Sequence, residues 1–346
     1  MSFRLFYLFF LSCSLGIAQN QFTLSGTIYE TEGQETLIGA NIIIPALNTG
    51  TTTNEYGFYS ITLEAGTYEV IISYIGYDSQ TETIELYQNI TQNFNISASP
   101  DNLDEVVLES NVERVDVKSP QMSVNTLTAN SIKQIPVVFG EADVIKAITL
   151  LPGVSNGGEG SGGFNVRGGS TDQNLILLDE ATLFNSSHLF GFFSVFNPDA
   201  IKNIKLYKGG IPAKYGGRVA SVLDIYQKEG NKNEFHGNGG IGLVASRVLL
   251  EGPLKKEKGS FLLGGRSTYA HLFLPLFDIE NIAYFYDLNT KLSYRLDEDN
   301  KIYLSGYFGR DVFSVSNSFR NVYGNTVVNF RWNHLFTDQL FSNLSL

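Results

Sequence analysis

The sequence predicts a mainly β fold in three parts: a small β-sandwich, an α+β domain and the first strands of an antiparallel membrane-spanning barrel. Aromatic residues are frequent, at 13%, and charged residues are scarce, at 17%. That balance suits amphipathic strands better than a helical enzyme. Short strand-like segments separated by turn residues fill the first third of the chain, and alternating segments fill the last third.

The first 18 residues read as a secretory signal peptide. A positive charge precedes a short apolar run, and the small residues Gly16 and Ala18 stand at the −3 and −1 positions of a cleavage site. The run is too short for a spanning helix, and lipid attachment at Cys13 is the weaker alternative. Cleavage after Ala18 removes the only cysteine, so the mature chain is expected to have no disulfide and no thiolate metal site.

Residues 20–98 read as one β-sandwich, because short strands recur at the spacing typical of that class. The segment contains no histidine, so the imidazole ligands of a zinc peptidase are missing. The predicted strands are residues 22–29, 40–44, 57–63, 66–75, 81–86 and 91–96.

Residues 99–118 read as a linker that contains one β-prone segment. An unpaired extended segment can add itself as a strand to the sheet edge of another protein. An ordinary edge strand or a spacer is the plainer alternative. The segment consists of Leu103, Asp104, Glu105, Val106, Val107 and Leu108.

Residues 119–230 read as an α+β domain centred on the stretch FNVRGGSTDQNLILLD, residues 164–179. Gly168 and Gly169 permit a positive φ and a close approach of backbones. Residues 175–178 are an unbroken apolar run, which is typical of a strand buried on both faces. Asp179 stands at the end of that strand.

Other segments of this domain also have readable patterns. Residues 141–151 place apolar side chains on one helical face and acidic ones in the first turn, and Pro152 ends the helix. The glycine-rich loop 153–163 has no lysine, so it predicts an exposed loop instead of a phosphate site. Residues 197–199 predict a helix start with proline at the first position. Residues 183–197 form an aromatic, weakly charged segment.

Residues 231–346 read as the first strands of a membrane barrel. Between 284 and 296 the even positions are mostly apolar or aromatic, and the odd positions after Phe285 are polar or charged. Residues 328–333 repeat this alternation. Short turns and longer loops between such strands are typical of transmembrane β-barrels. A soluble antiparallel sheet also alternates, but the signal peptide favours the membrane.

The sequence predicts no enzyme, no metal site and no cofactor. The histidines have no ligand spacing, and no nucleophile motif is present. Asp179 and Glu180 are adjacent, so on a strand their side chains would point to opposite faces. The formal net charge of −11 argues against a nucleic-acid partner. The four histidines are His188, His236, His271 and His334.

The order of these parts resembles the TonB-dependent outer-membrane receptors of the Bacteroidetes type, SusC-like proteins among them. Residues 20–98 resemble the carboxypeptidase-regulatory-like domain through the motifs NEYGFY and GTYEV. The resemblance implies a transthyretin-like β-sandwich, an α+β plug domain and the first strands of an antiparallel transmembrane β-barrel. The motifs that carry the plug resemblance are FNVRGG at 164–169, LILLD at 175–179 and YGGR at 215–218, which leads to VLDI at 222–225.

The resemblance implies a mechanism and a set of site residues. Residues 103–108 would be the TonB box, which pairs as a strand with TonB and transmits a pull to the plug. Arg167, Asp179 and Arg218 are candidates for a charged network between plug and barrel wall, with merely solvated charges as the alternative. The full plug motif and gate set is Arg167, Gly168, Gly169, Asp179, Tyr215, Gly216, Gly217 and Arg218.

The resemblance also implies partners and a location. TonB with its inner-membrane energy-transducing complex, outer-membrane lipid and a small-molecule or oligomeric solute are the expected partners. A surface lipoprotein is a further partner that the resemblance allows. The expected location is the cell outer membrane, with the plug and the N-terminal domain on the periplasmic side. Glycans, peptides, siderophores and cobalamin all stay open as solutes.

The main departure from the family is length. The last part has room for about six strands, whereas barrels of this class close with about 22. An open sheet edge is unfavourable in lipid, so we expect the chain to be a fragment of a longer product. The alternative function is a secreted or surface β-sandwich protein for binding or adhesion without transport.

Overall fold

The computed structural model describes residues 20–99, 123–133, 135, 141–158, 162–273, 275, 281–315 and 319–346. The predicted signal peptide, the segment 103–108 and nearly all of the linker lie outside the described residues. The chain divides into two compact units. The first contains the predicted sandwich, and the second contains the α+β domain and nearly all of the long strands that follow it.

Two sheets form the sandwich of the first unit. In one sheet β1 pairs antiparallel with β4 and parallel with β7 and β8, and in the other β2 lies between β3 and β5, with β6 beyond β5. Leu24, Ile28, Ile42 and Ile72 lie in the core between them. The strands are β1 (Gln21–Glu30), β2 (Asn41–Ile44), β3 (Thr49–Thr52), β4 (Phe58–Glu64), β5 (Gly66–Ser73), β6 (Gln80–Leu86), β7 (Ile90–Thr91) and β8 (Phe94–Ile96).

The edge strand β3 was not predicted, because its sequence TGTT has no apolar residue to set up an alternation. Thr53 directly follows β3 and is buried. Its side chain hydrogen-bonds to the loop that precedes β2. Its Oγ1 accepts a hydrogen bond from Ala40 N at 2.8 Å and donates one to Leu37 O at 2.7 Å. One hydroxyl therefore satisfies two backbone groups of the loop.

We expect Thr53→Val to lower the free energy of unfolding of the sandwich by about 1–3 kcal/mol, because two buried backbone groups lose their partner. Thr52→Val is the matched control, since Thr52 is exposed. Urea unfolding of segment 20–99 measures both variants. Equal midpoints for the two would contradict the role given to the Thr53 hydroxyl.

A five-stranded sheet forms the α+β domain, in the order β13-β12-β17-β16-β9. Strands β12 and β17 are parallel, and the other neighbours are antiparallel. Two short hairpins, β10 with β11 and β14 with β15, lie beside it. The strands are β9 (Val124–Thr128), β10 (Val154–Asn156), β11 (Phe164–Val166), β12 (Asn174–Leu178), β13 (Ala181–Thr182), β14 (Ser187–His188), β15 (Phe193–Ser194), β16 (Ile201–Tyr207) and β17 (Ser221–Gln227).

The described α-helices are short: Ala129–Lys133 and Val144–Thr149. The helix predicted over 141–151 begins later than expected because Asp143 is its N-cap and accepts a hydrogen bond from Lys146 N at 3.0 Å. Among the described residues, no helix combines the length and the apolar character needed to cross a membrane.

The helix start predicted at 197–199 is wrong. Asn197 instead closes a single turn, accepting hydrogen bonds from Asp199 N and Ala200 N. The chain then enters β16 at Ile201. The apolar and β-branched residues of β16 take a place inside the sheet, and this tertiary packing outweighs the local start signal.

Seven antiparallel strands follow in a simple meander, each paired with the next. This is one more than the sequence suggested, because β18 has the glycine-rich sequence HGNGGI, which hides its alternation. The strands are β18 (His236–Ile241), β19 (Ala245–Lys255), β20 (Gly259–Thr268), β21 (Ile282–Arg295), β22 (Asn300–Val315), β23 (Phe319–Thr337) and β24 (Leu340–Ser345).

In these strands polar side chains are buried and apolar side chains are exposed, which is the inverse of the pattern in a soluble sheet. In β21 the polar side chains of Asp287, Asn289 and Lys291 are buried, whereas Leu288 and Leu292 are exposed. The buried polar face lies against the α+β domain, as the contacts below show. An apolar outer face with a polar inner face is the pattern of a membrane barrel.

Candidate functional site

The first feature of this polar interface is an ion pair between Asp179, at the end of β12, and Lys291 of β21. Lys291 Nζ lies 2.9 Å from Asp179 Oδ1 and donates to Gln227 O at 2.8 Å. Gln227 donates its backbone N–H and its side-chain amide to the same carboxylate, at 3.1 and 3.0 Å. Asn329 of β23 donates to Asp179 O. We call Asp179, Gln227, Lys291 and Asn329 the Asp179 cluster.

The turn that presents Asp179 has an unfavourable backbone. Asp179 and Glu180 connect β12 to β13 and have φ values of 48° and 75°, although neither is glycine. A left-handed conformation costs such residues about 1–2 kcal/mol each. Arg331 of β23 lies 3.8 Å from the Glu180 carboxylate. Contacts with the long strands therefore offset the strain in this turn.

A second cluster is centred on Glu229, just after β17. Lys232 Nζ and Lys301 Nζ each lie 3.0 Å from its Oε2, and the Tyr303 hydroxyl donates to Oε1 at 3.1 Å. Burial alone would raise the pKa of Glu229, but the two ammonium groups outweigh it and hold the pKa well below its ordinary value. Glu229 is thus a buried anion.

The third feature is a histidine held between two carboxylates. His188 Nδ1 lies 2.7 Å from Asp311 Oδ2 of β22, and its Nε2 lies 3.2 Å from Asp287 Oδ2 of β21. The Tyr307 hydroxyl is 3.1 Å from Nε2. Burial opposes the charged imidazole, but the hydrogen bonds to the two carboxylates raise the pKa of His188 above its ordinary value.

Arg266 of β20 extends this cluster. Its guanidinium donates to Asp287 at 2.5 and 3.0 Å and to Ser194 O at 2.9 Å. Weaker contacts reach Phe196 O at 3.3 Å and Glu141 Oε2 at 3.4 Å. The side chain is 1% exposed, so one buried arginine connects a strand to two separate segments of the α+β domain, around Glu141 and around Ser194. His188, Arg266, Asp287, Tyr307 and Asp311 are called the His188 cluster.

Asp199 provides a fourth contact with the long strands. It lies 2.7 Å from Lys133 Nζ and 2.7 Å from Arg247 Nε of β19. Burial would raise the pKa of Asp199, but the two cations lower it below its ordinary value. The α+β domain is therefore held to β19, β20, β21, β22 and β23 by charged or polar groups.

Of the predicted site residues, Arg167, Gly168 and Gly169 form a tight turn within the domain. Arg167 and Gly168 have φ values of 49° and 82°, and Gly169 N donates to Val166 O at 2.9 Å. A Cβ on Gly169 would lie 2.6 Å from Ala220 Cβ, so the backbones approach closely here. Arg167 is exposed, and its guanidinium donates to Ser123 Oγ at 3.1 Å.

The second predicted group, Tyr215 to Arg218, also makes its contacts inside the domain. The Tyr215 hydroxyl donates to Asp224 Oδ2 at 2.7 Å. Gly216, Gly217 and Arg218 are exposed, and Arg218 donates to Gly217 O at 3.1 Å. Of the three charges proposed for a plug–barrel network, the structure brings only Asp179 to a long strand. The residues Leu103 to Leu108 lie outside the described part of the chain.

Sequence reasoning missed most of the interface. His188 was set aside because no ligand spacing surrounded it, and Arg266 was not singled out. Asp287 and Lys291 were seen as polar positions of β21 and not as partners. One signal for these residues was available in the sequence: a charged residue in the middle of a strand, on the face opposite the apolar one. Charges that face the interior of a membrane protein are costly and commonly functional.

The aromatic segment 183–197 lies against the long strands. Phe190 packs edge-on against Phe313, with ring centroids 5.2 Å apart, and its backbone N–H donates to the Tyr323 hydroxyl at 3.1 Å. Across the described residues, no group of three or more His, Cys, Asp or Glu side chains could hold a metal ion. The contacts of these clusters attach the α+β domain to the long strands electrostatically.

Comparison with known proteins gives two domain matches and two curated relatives. A family model described as the CarboxypepD_reg-like domain matches residues 24–108, and the TonB-dependent Receptor Plug Domain matches residues 116–222. The TonB-dependent receptor SusC of Bacteroides thetaiotaomicron is 25% identical over 236 residues, covering 64% of this chain and 22% of its own. The TonB-dependent receptor P39 of Formosa agariphila is 28% identical over 232 residues, covering 64% and 21%.

Among solved structures, the siderophore receptor PirA from Acinetobacter baumannii has a TM-score of 0.47 at 18% identity, covering 62% of this chain and 38% of that one. The chain spans about a fifth of the length of the two curated relatives. A plug domain followed by strands that are apolar outside and polar inside is the arrangement expected of a plugged outer-membrane barrel. The chain contains a carboxypeptidase-regulatory-like domain and a TonB-dependent receptor plug domain, and it is similar to the TonB-dependent receptors.

Proposed function

We propose that this chain gates the energised import of a solute through an outer-membrane barrel, as part of a TonB-dependent receptor. The observation that carries the proposal is the buried charged interface between plug and barrel strands. A buried ion pair holds firmly while it is intact, and its removal leaves an uncompensated charge. Such an interface keeps the plug seated and gives an applied force defined contacts to break.

The proposed coupling begins at residues 103–108, which would pair as a strand with TonB. A pull on this segment passes along the chain toward β9, the first strand of the plug sheet. β9 pairs with β16, and β17 separates β16 from β12, which ends at Leu178, one residue before Asp179. A displacement of this sheet would therefore apply force to the contacts of the Asp179 cluster.

The proposed solute stays at the level of a class, a small-molecule or oligomeric nutrient, and a surface lipoprotein is a proposed further partner. SusC and P39 are both named TonB-dependent receptors, and neither name states a solute. We propose no catalytic role, because the charged clusters hold structure together and present no nucleophile.

The test of the coupling uses Val106→Pro, with Val112→Pro as a matched control in the same linker. Proline removes the backbone N–H that strand pairing needs. We expect the wild type and the Val112→Pro variant of the full-length receptor to be retained by the immobilised periplasmic domain of TonB, and the Val106→Pro variant to lose about tenfold or more of that binding, about 1.4 kcal/mol.

Two results would contradict the proposal. One is equal retention of the Val106→Pro and Val112→Pro variants by TonB. The other comes from fractionation, where we expect a heat-modifiable outer-membrane protein. Recovery of the full-length product as a freely released soluble protein would instead support the adhesion alternative.

A further inference from the structure

His188 is a plug side chain that contacts two neighbouring barrel strands at once. It is 1% exposed, and its ring stacks on Phe285 of β21 with ring centroids 4.0 Å apart and planes inclined by 6°. Asp311 accepts from both the ring and the following backbone, because Leu189 N donates to its Oδ1 at 2.8 Å. The imidazole is therefore a charged contact between the segment Ser187–Phe193 and two barrel strands, beside the contacts of Leu189 and Phe190.

The two ring nitrogens face acceptors on both sides. An ionised carboxylate only accepts hydrogen bonds, and a neutral imidazole has one N–H and one lone pair. A neutral tautomer with its proton on Nδ1 could accept from the Tyr307 hydroxyl at Nε2. In that tautomer Nε2, which lies 3.2 Å from Asp287 Oδ2, would face the carboxylate with a lone pair. Protonation of both nitrogens removes this repulsion and gives each carboxylate a donor.

The charges around the ring favour the same protonation state. Arg266 contacts Asp287 and Glu141, whereas in the described part of the chain Asp311 forms its ion pair with His188. A neutral His188 would leave Asp311 buried without a cation, which is costly. The titratable groups that contact the ring are Asp287 on β21 and Tyr307 and Asp311 on β22. Behind them lie Arg266 on β20, its partner Glu141 ahead of the helix Val144–Thr149, and Tyr323 on β23, which accepts from Phe190 N.

We propose that His188 is a positioning residue of the gate: its imidazolium charge fastens the segment Ser187–Phe193 to β21 and β22, and loss of its proton loosens that segment. The consequence of a loosened segment for solute import rests on the proposed function. The state of the imidazole can be tested without any transport.

The direction of the pH dependence follows from linkage. The pKa of His188 is raised in the docked plug, so its contribution is complete below the ordinary histidine pKa of about 6.5. This contribution of the imidazolium to the docking free energy is lost as the pH rises through the raised pKa of His188. Between these two values the docking constant of the segment falls about tenfold for each pH unit.

The experiment uses the full-length receptor in detergent, with hydrogen exchange of amides 187–193 measured by mass spectrometry and corrected for intrinsic exchange. We expect protection of these amides in the wild type to fall as the pH rises above 6.5. His188→Gln should give low protection with little pH dependence. His236→Gln is the matched control, because His236 is about half exposed on β18, and it should behave as the wild type.

Asp311→Asn separates a charge effect from a packing effect. It keeps the histidine but removes the anion at Nδ1, so protection should be lost at a lower pH than in the wild type. NMR of ¹⁵N-histidine-labelled receptor should show both His188 nitrogens protonated at pH 7. A neutral tautomer at pH 7, or identical pH profiles for the wild type and His188→Gln, would overturn the proposal. Neither result bears on TonB binding by residues 103–108.

Discussion

Lys291→Met is expected to lower the free energy of plug docking by about 3–5 kcal/mol, because it leaves the Asp179 carboxylate buried without a cation. Both side chains of this pair are at most 3% exposed, so water cannot replace the ammonium group. Lys255→Met is the matched control, since Lys255 is an exposed lysine of β19. Urea titration of the full-length receptor, followed by exchange of plug amides, measures the loss.

A double-mutant cycle shows whether the loss belongs to this pair. Asp179→Asn combined with Lys291→Met removes both charges, and asparagine tolerates the left-handed φ of 48° at this position and keeps an acceptor oxygen for Gln227. We therefore expect the double variant to be more stable than Lys291→Met alone, with a coupling energy within the 0.5–3 kcal/mol range typical of contacting residues, about its upper end. Additive effects would show that Asp179 and Lys291 stabilise the plug through other contacts.

Arg266→Met is expected to lower the free energy of plug docking by a similar amount, about 3–5 kcal/mol, because Asp287 and Glu141 both lose a cation inside the interface. Arg266→Lys should recover only part of this loss. A lysine ammonium cannot reproduce the planar set of donors that reaches Asp287 and Ser194 O together.

The control for this series is Arg320→Met, because Arg320 is an exposed arginine of β23. The measurement is again the urea dependence of exchange in plug amides, read separately around His188 and around Asp179. Loss of protection should be largest near His188. Equal stability of the Arg266→Met and Arg320→Met variants would remove Arg266 from the interface as an energetic contact.

The sequence predicted the strand architecture well where side chains alternate. In β21 the exposed Leu288 and the buried Asp287 lie on the two faces that the even and odd positions indicated. The prediction failed where alternation is absent, as in the glycine-rich β18 and the TGTT strand β3. At Asn197 it failed because a local helix start was overridden by the sheet that β16 joins.

The interface was much harder to predict than the fold. Asp179 was selected from its place at the end of an apolar run, but its partner Lys291 lies 112 positions away. That pairing depends on how the plug sits against β21, which no local pattern encodes. Arg167 and Arg218 were assigned to the interface but are exposed. A charge beside a glycine motif is equally compatible with an exposed turn.

The inverted pattern of β21 also limits how the barrel wall can assemble. A slip of β21 by one residue would turn Asp287 and Lys291 toward lipid and bring Leu288 and Leu292 against the plug. A slip by two residues would keep the polarity but separate Asp287 from His188 and Arg266. The observed register of β21 therefore satisfies the plug and the lipid together, and a slip of one or two residues would not.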